Sequence, residues 1–212
     1  MDSLLQPIYQ SIVAGDAAGT KAGVQAALDA RLNPATIVNE GMVAAMREVG
    51  RRFEAGDYYT PEMLIAARAM QAGMALLKPY LLQGEVKSAG KVVIGTVKGD
   101  LHDIGKNLVS VMLEGAGFEI HDLGVDVPAD KFVEAVRAHA PDILALSALL
   151  TTTMPTMQAT LESLQQAGLR DKVKVMIGGA PVTQAYAEQI GADGFSPDAS
   201  RAVGVAQSLL QG

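Results

Sequence analysis

The run Lys91-Val92-Val93-Ile94-Gly95-Thr96-Val97, leading into Asp100-Leu101-His102-Asp103-Ile104-Gly105, decides the fold. A short β-branched segment ends near Gly99, and an apolar-faced helical pattern begins close to Ile104. That join is the strand–loop–helix unit of a parallel sheet. In an open sheet of this kind, ligands gather outside the carboxyl ends of the strands. The loop at that end carries a histidine with a carboxylate two residues before it. An imidazole can ligate a metal, and a neighbouring carboxylate fixes its tautomer and raises its basicity. The loop therefore reads as a metal or cofactor site.

Downstream, the pattern repeats. Further short strands are expected at Phe118–Leu123, Asp142–Ser147 and Lys172–Ile177, each followed by a helix-like segment. A fifth strand near Asp193–Phe195 and a last helix over Pro197–Leu210 complete the series. The fold class is α/β: a Rossmann-like, flavodoxin-like five-stranded parallel sheet with helices on both faces. Ser147 ends the third strand and Gly178-Gly179 the fourth, so their loops should meet the histidine loop on one edge. Small residues there would leave a slot between sheet and helices.

Upstream, residues 1–84 have a helical period throughout. Leu4, Ile8 and Ile12 begin one apolar stripe, and Val24 and Leu28 continue in the next segment after Gly15-Asp16. Asn33-Pro34 is a cap-then-proline helix start, followed by Ile37, Val38, Met42, Ala45, Met46 and Val49. Thr60-Pro61 repeats that signal before Met63, Leu64, Ala67, Met70, Met74 and Leu77. Four helices with short connections predict a small bundle. Residues 85–90 read as a linker, and residues 91–212 as the α/β domain.

Composition narrows the function. The 212 residues are 49% hydrophobic and 19% charged, a globular balance. The net charge of −6 divides into −1 over residues 1–90 and −5 over residues 91–212. No basic stripe is present, which argues against nucleic acid as a partner. The absence of cysteine excludes disulfides, thiolate zinc sites, iron–sulfur clusters and a cysteine nucleophile. Met1-Asp2-Ser3 lacks signal-peptide features, and the apolar run Ile143–Leu150 is too short to span a bilayer. A soluble, cytoplasmic protein without a membrane partner is expected.

Familiar nucleotide motifs fail. Around Gly105-Lys106, Asp100 stands where a phosphate loop needs glycine, and Asn107 where it needs Ser or Thr. No G-x-G-x-x-G follows the first strand. His121 and His139 have no metal-ligand spacing to His102.

Asp100-x-His102-x-x-Gly105, 41 residues, Ser147-x-Leu149, 28 residues, then Gly178-Gly179 resembles the pattern of the cobalamin-binding family. The helical half resembles the bundle that accompanies this domain in methionine synthase and in stand-alone corrinoid proteins. Length and domain order look most like the corrinoid proteins of methanol, methylamine and methoxyaromatic methyltransferase systems. The resemblance implies cobalamin bound base-off, with His102 as the lower axial ligand to cobalt, Asp100 holding its other ring nitrogen and Thr153 extending the relay. It implies further contacts from Asp103, Ile104 and Gly105, and a nucleotide tail in a slot lined by Ser147, Leu149, Thr151, Gly178 and Gly179. Phe195 would pack near the buried base, with core packing an equal account of it.

Phe53 matches an aromatic cap residue over the upper face. Thr60 stands where methionine synthase has leucine, leaving either a less apolar cap or one completed by Tyr58, Tyr59 or Met63. The implied function is that of a methyl carrier cycling Co(I) and methyl-Co(III), not a complete catalyst on its own. The implied partners are a substrate-specific methyltransferase, a methyltransferase to tetrahydrofolate or a thiol coenzyme, and a reductive activator. The other reading is a cobalamin-binding sensor or photoreceptor-type regulator.

Overall fold

A computed structural model describes residues 3–81 and 88–211. The chain divides into two compact units at Ser88/Ala89, with the turn Gly115–Gly117 grouped with the first. Of the expected linker over residues 85–90, positions 85–87 lie outside the described residues. No described helix is long and apolar enough to cross a membrane.

In the first unit, helix α1 (Leu5–Val13) buries Leu5, Ile8 and Ile12, the spacing of one helix face. The Asp16 carboxylate accepts the Gly19 N–H at 2.9 Å and starts α2 (Ala17–Asp29). Asn33 caps α3 (Pro34–Thr36) as expected, accepting the Ala35 N–H at 2.8 Å. The chain then passes through a π-helical stretch, Ile37–Val43, into α4 (Ala44–Glu54). Regular α-helix was expected over that stretch. The wider turn instead buries Ile37, Val38, Gly41, Met42 and Val43 together. Helix α5 (Thr60–Leu81) begins at Thr60 itself, and the Glu62 carboxylate, not Thr60, takes up the orphan Tyr59 N–H at 2.9 Å. A Cβ at Gly73 would stand 2.9 Å from Met42 and from Thr20, so glycine there lets α5 lie close against α2.

One polar network joins the ends of α1 and α4. Glu48 accepts from Arg51 and Arg52, each at 2.8 Å, and the hydrogen bonds from Arg51 and Arg52 pull its carboxyl down to about 2. Arg52 donates to the Tyr58 hydroxyl at 3.0 Å, and Tyr58 donates to the Val13 carbonyl at 2.9 Å. A Tyr58→Phe variant should lose about 1 kcal/mol of stability, one net hydrogen bond, with its helical content unchanged. Urea unfolding followed by circular dichroism measures this; an unshifted midpoint would show that the network holds nothing.

In the second unit, β1 (Lys91–Thr96), β2 (Glu119–Asp122), β3 (Ile143–Ser147), β4 (Lys174–Gly178) and β5 (Gly194–Ser196) form a parallel sheet in the order β2-β1-β3-β4-β5. Helices α6 (Ile104–Gly115), α7 (Ala129–His139), α8 (Pro155–Gln166), α9 (Gln184–Ile190) and α10 (Ala199–Gln211) complete it. Right-handed crossovers put α7, α8 and α9 on one face and α6 and α10 on the other. Val93, Leu144, Leu146, Val175 and Ile177 pack with Phe132, Met157 and Leu161 in the core of the first face. The alternate residues Val92, Ile94, Ala145 and Met176, all buried, point the other way. β4 starts two residues later than expected because Arg170–Lys172 forms a 3-10 turn, with Arg170 bonded to the Gly191 carbonyl and Asp193 at 2.7 Å each. The strand order reverses between β1 and β3, which places the ligand crevice at the loops after those two strands.

Candidate functional site

Those two loops are joined by one carboxylate. Asp100 is fully buried, and its oxygens divide the work between them. Oδ1 accepts the backbone N–H of His102 at 3.1 Å and lies 2.6 Å from its Nδ1. Oδ2 accepts the Leu149 N–H at 2.7 Å, the Leu150 N–H at 3.3 Å and the Thr153 hydroxyl at 2.7 Å. Burial would push the Asp100 carboxyl up; the bonds from Leu149, His102 and Thr153 outweigh it and hold the group well below the usual carboxylate range. The carboxylate is ionised and can only accept. Nδ1 of His102 therefore carries a ring proton, on a side chain 51% exposed, and in the neutral imidazole Nε2 keeps the lone pair. Thr96 completes the hold, donating its hydroxyl to the His102 carbonyl at 2.9 Å.

Exposed apolar residues lie close to His102 along the chain and on the facing loop, with the exposed Asp103 between His102 and Ile104. Leu101 and Ile104, on either side of His102, are 71% and 73% exposed, and Leu149 and Leu150 on the facing loop 41% and 42%. Gly105 has open space where a Cβ would be. Asp103 accepts from the Asn107 side chain at 3.1 Å, one turn into α6. Lys106 is buried, its ammonium engaged by Asp122 and Asn107 and so closed to a phosphate.

The strand ends beside the histidine loop are in register. Thr96 pairs with Ser147, Ser147 with Gly178, and Gly178 with Ser196, so the last residues of four strands form one row. All four are small, and paired neighbours share a face of the sheet. Leu149, Thr151 and Gly179 lie on the loops directly beyond that row, with Thr151 exposed. The glycines are also required by the protein's own backbone. A Cβ at Gly179 would stand 1.8 Å from the Ala148 carbonyl oxygen, and one at Gly178 3.1 Å from that of Ser196. They allow protein backbone, not only a ligand, to approach.

Phe195 is not in this group. It pairs with Ile177, one residue out of phase with the row, and packs against the core under α7, α8 and α9. Phe53 is a half-buried residue of α4, in the helical unit. His121 and His139 stack on each other at 4.1 Å on the β2 side, with His121 bonded to Glu119. Sequence reading passed over Thr96 and Ser196, although each ends its strand at the same level as Ser147.

Among the described residues, no group of three or more His, Cys, Asp or Glu could hold a bare metal ion. A single half-exposed imidazole held by a buried carboxylate suits a metal that brings its own equatorial ring and needs one axial ligand. Beside it the strand-end row is of small residues, Thr96 and Ser196 buried and Ser147 and Gly178 half-buried. Residues 90–204 match a family described as B12 binding domain, and residues 4–78 match a second family of the same description.

The chain belongs to the B12-binding family.

Its cofactor is accordingly a corrinoid of the cobalamin type. Among B12-binding relatives, "Dimethylamine corrinoid protein 1" of Methanosarcina acetivorans is 50% identical over 180 residues, covering 84% of each chain. The methanol:cobalamin methyltransferase complex MtaBC from Methanosarcina barkeri contains a chain that superposes with a TM-score of 0.88 at 32% identity, covering all of this chain and 81% of that one. A cobalamin-binding protein from Desulfitobacterium hafniense DCB-2 gives 0.80 at 35% identity, covering 97% and 98%.

Proposed function

We propose that this B12-binding protein is the methyl carrier of a methyltransferase system of the methylamine or methanol class, holding cobalamin base-off with His102 as the lower axial ligand. The observation that carries the reading is the Asp100–His102 arrangement: Nδ1 is committed to a buried carboxylate on a histidine side chain that is half exposed. The corrinoid supplies a cobalt that takes up a methyl group and passes it on. The protein's part is to bind, to orient and to tune. Asp100 fixes the tautomer and strengthens the donor character of His102. Thr153 steadies the Asp100 oxygen that His102 does not use. Ser147, Gly178 and their row neighbours receive the nucleotide tail, and Leu149, Leu101 and Ile104 keep water from the lower face.

In this reading a substrate-specific methyltransferase loads the carrier. A second enzyme unloads it to tetrahydrofolate or a thiol coenzyme, and a reductive activator restores it after oxidation. The relatives named for dimethylamine and the MtaBC complex support the first of these partnerships. Phe53, from the helical unit, is proposed as a shield of the upper face.

The test is the absorption spectrum of the protein loaded with methylcobalamin, beside that of His102→Ala. The wild type should show a ligated spectrum and the variant a base-off one, with cobalamin still retained. Identical spectra would remove His102 from the metal.

A further inference from the structure

The loop between β2 and α7 holds the histidine loop from the side opposite Thr153. Val127 forms a bridge with Val97 beyond the end of β1, and the Val127 N–H donates to the Thr96 carbonyl at 3.0 Å. At Asp126 the contact becomes reciprocal. Its side-chain Oδ1 accepts the Gly99 N–H at 2.7 Å, and its own N–H donates to the Asp100 carbonyl at 3.0 Å. Those two groups flank Asp100 along the backbone. With the Asp100 N–H donating to the Val97 carbonyl at 3.1 Å, the main chain around the buried carboxylate is held at three points.

Asp126 makes this grip from an uncommon conformation, φ +54°. Only a few non-glycine residues in the described chain have positive φ, and aspartate and asparagine tolerate it best. Glycine would remove the strain there but would offer nothing to the Gly99 N–H. The strained backbone and the hydrogen-bonding side chain are thus both needed at one position, the pattern of a functional constraint rather than of a mere turn. Asp126 and Gly99 are both exposed, so their bond adds little to global stability; what it constrains is local.

We propose that Asp126 is a positioning residue for the lower-ligand arm. It sets the turn from Val97 to Asp100 so that one Asp100 oxygen faces His102 and the other faces the Leu149–Thr153 loop. The inference rests on the proposed role of His102 for its consequence at cobalt, but its local part can be read without any corrinoid.

Asp126→Gly and Asp126→Asn separate the effects. The glycine variant relieves the backbone and deletes the acceptor; the asparagine variant keeps both the conformation and a carbonyl acceptor. In the full chain without corrinoid, nitrogen-15 NMR of the His102 ring should show the bonded Nδ1–H of the wild type weakened in Asp126→Gly and largely restored in Asp126→Asn. The Gly99 amide should exchange at least tenfold faster in Asp126→Gly, with the melting temperature close to wild type. Loaded with methylcobalamin, Asp126→Gly should show a ligated fraction reduced at least threefold. An unchanged His102 ring signal in Asp126→Gly, with the Gly99 amide freed, overturns the inference whatever the metal does. An unchanged spectrum in His102→Ala defeats the ligation reading instead, and leaves the NMR result to decide the positioning.

Discussion

Asp100→Asn will fold, but with His102 in the wrong tautomer. The Leu149 N–H and the Thr153 hydroxyl both point at one side-chain oxygen, so the amide of asparagine will turn its carbonyl toward that loop. Its NH2 then faces His102. Nδ1 must accept from it, which moves the ring proton to Nε2 and removes the lone pair proposed to ligate cobalt. The backbone N–H of His102 is left opposite a donor. The expected loss is about 2–3 kcal/mol of stability, from one unmet N–H and one lost charge-assisted bond. The methylcobalamin-loaded variant should be spectrally base-off, close to His102→Ala, although the imidazole is present. A ligated spectrum in Asp100→Asn would mean that the tautomer is set elsewhere.

The same carboxylate gives acid stability a direction. In the folded chain its pKa lies below the unfolded value of about 3.9. The stability that follows is complete above that value and is lost as pH falls through the folded one, because the unfolded chain takes up the proton first. Asp100→Asn should therefore flatten the acid limb of the stability profile and leave the neutral plateau uniformly lower.

Gly179→Ala should be the most damaging single-methyl change in the α/β unit. Its φ of +132° is a region that side-chain-bearing residues rarely adopt, and the added Cβ would lie 1.8 Å from the Ala148 carbonyl oxygen. That neighbour is backbone at the end of β3, where the Ala148 N–H also bonds the Gly178 carbonyl at 3.2 Å, so neither side can yield without parting β3 from β4. Strain and clash together should cost about 4 kcal/mol or more, a large share of a stability of roughly 5–15 kcal/mol. Soluble yield and the thermal midpoint report it. A midpoint within about 2 °C of wild type would contradict the packing described.

Much of this was legible in the chain itself. β-branched runs separated by helical periods gave the parallel sheet, and Asp100, His102, Ser147 and Gly178-Gly179 marked its working edge because turn and loop chemistry is local. What was not legible depends on pairs distant in sequence. That Gly179 is required by the Ala148 carbonyl, that Thr96 and Ser196 share a row with Ser147, and that Phe195 faces the opposite core all follow from register between strands. The π-helical stretch Ile37–Val43 was hidden because its apolar spacing also suits an α-helix. Asp126 left only a weak trace, Gly124-Val125-Asp126-Val127-Pro128, which reads as an ordinary turn.

The row Thr96–Ser147–Gly178–Ser196 draws one residue from each of four strands. A slip of one position in β3 or β4 would push a large core side chain, Leu146 or Ile177, into its place. The proposed hold on the nucleotide tail is therefore a property of strand register, shared among four strands, rather than of any one loop.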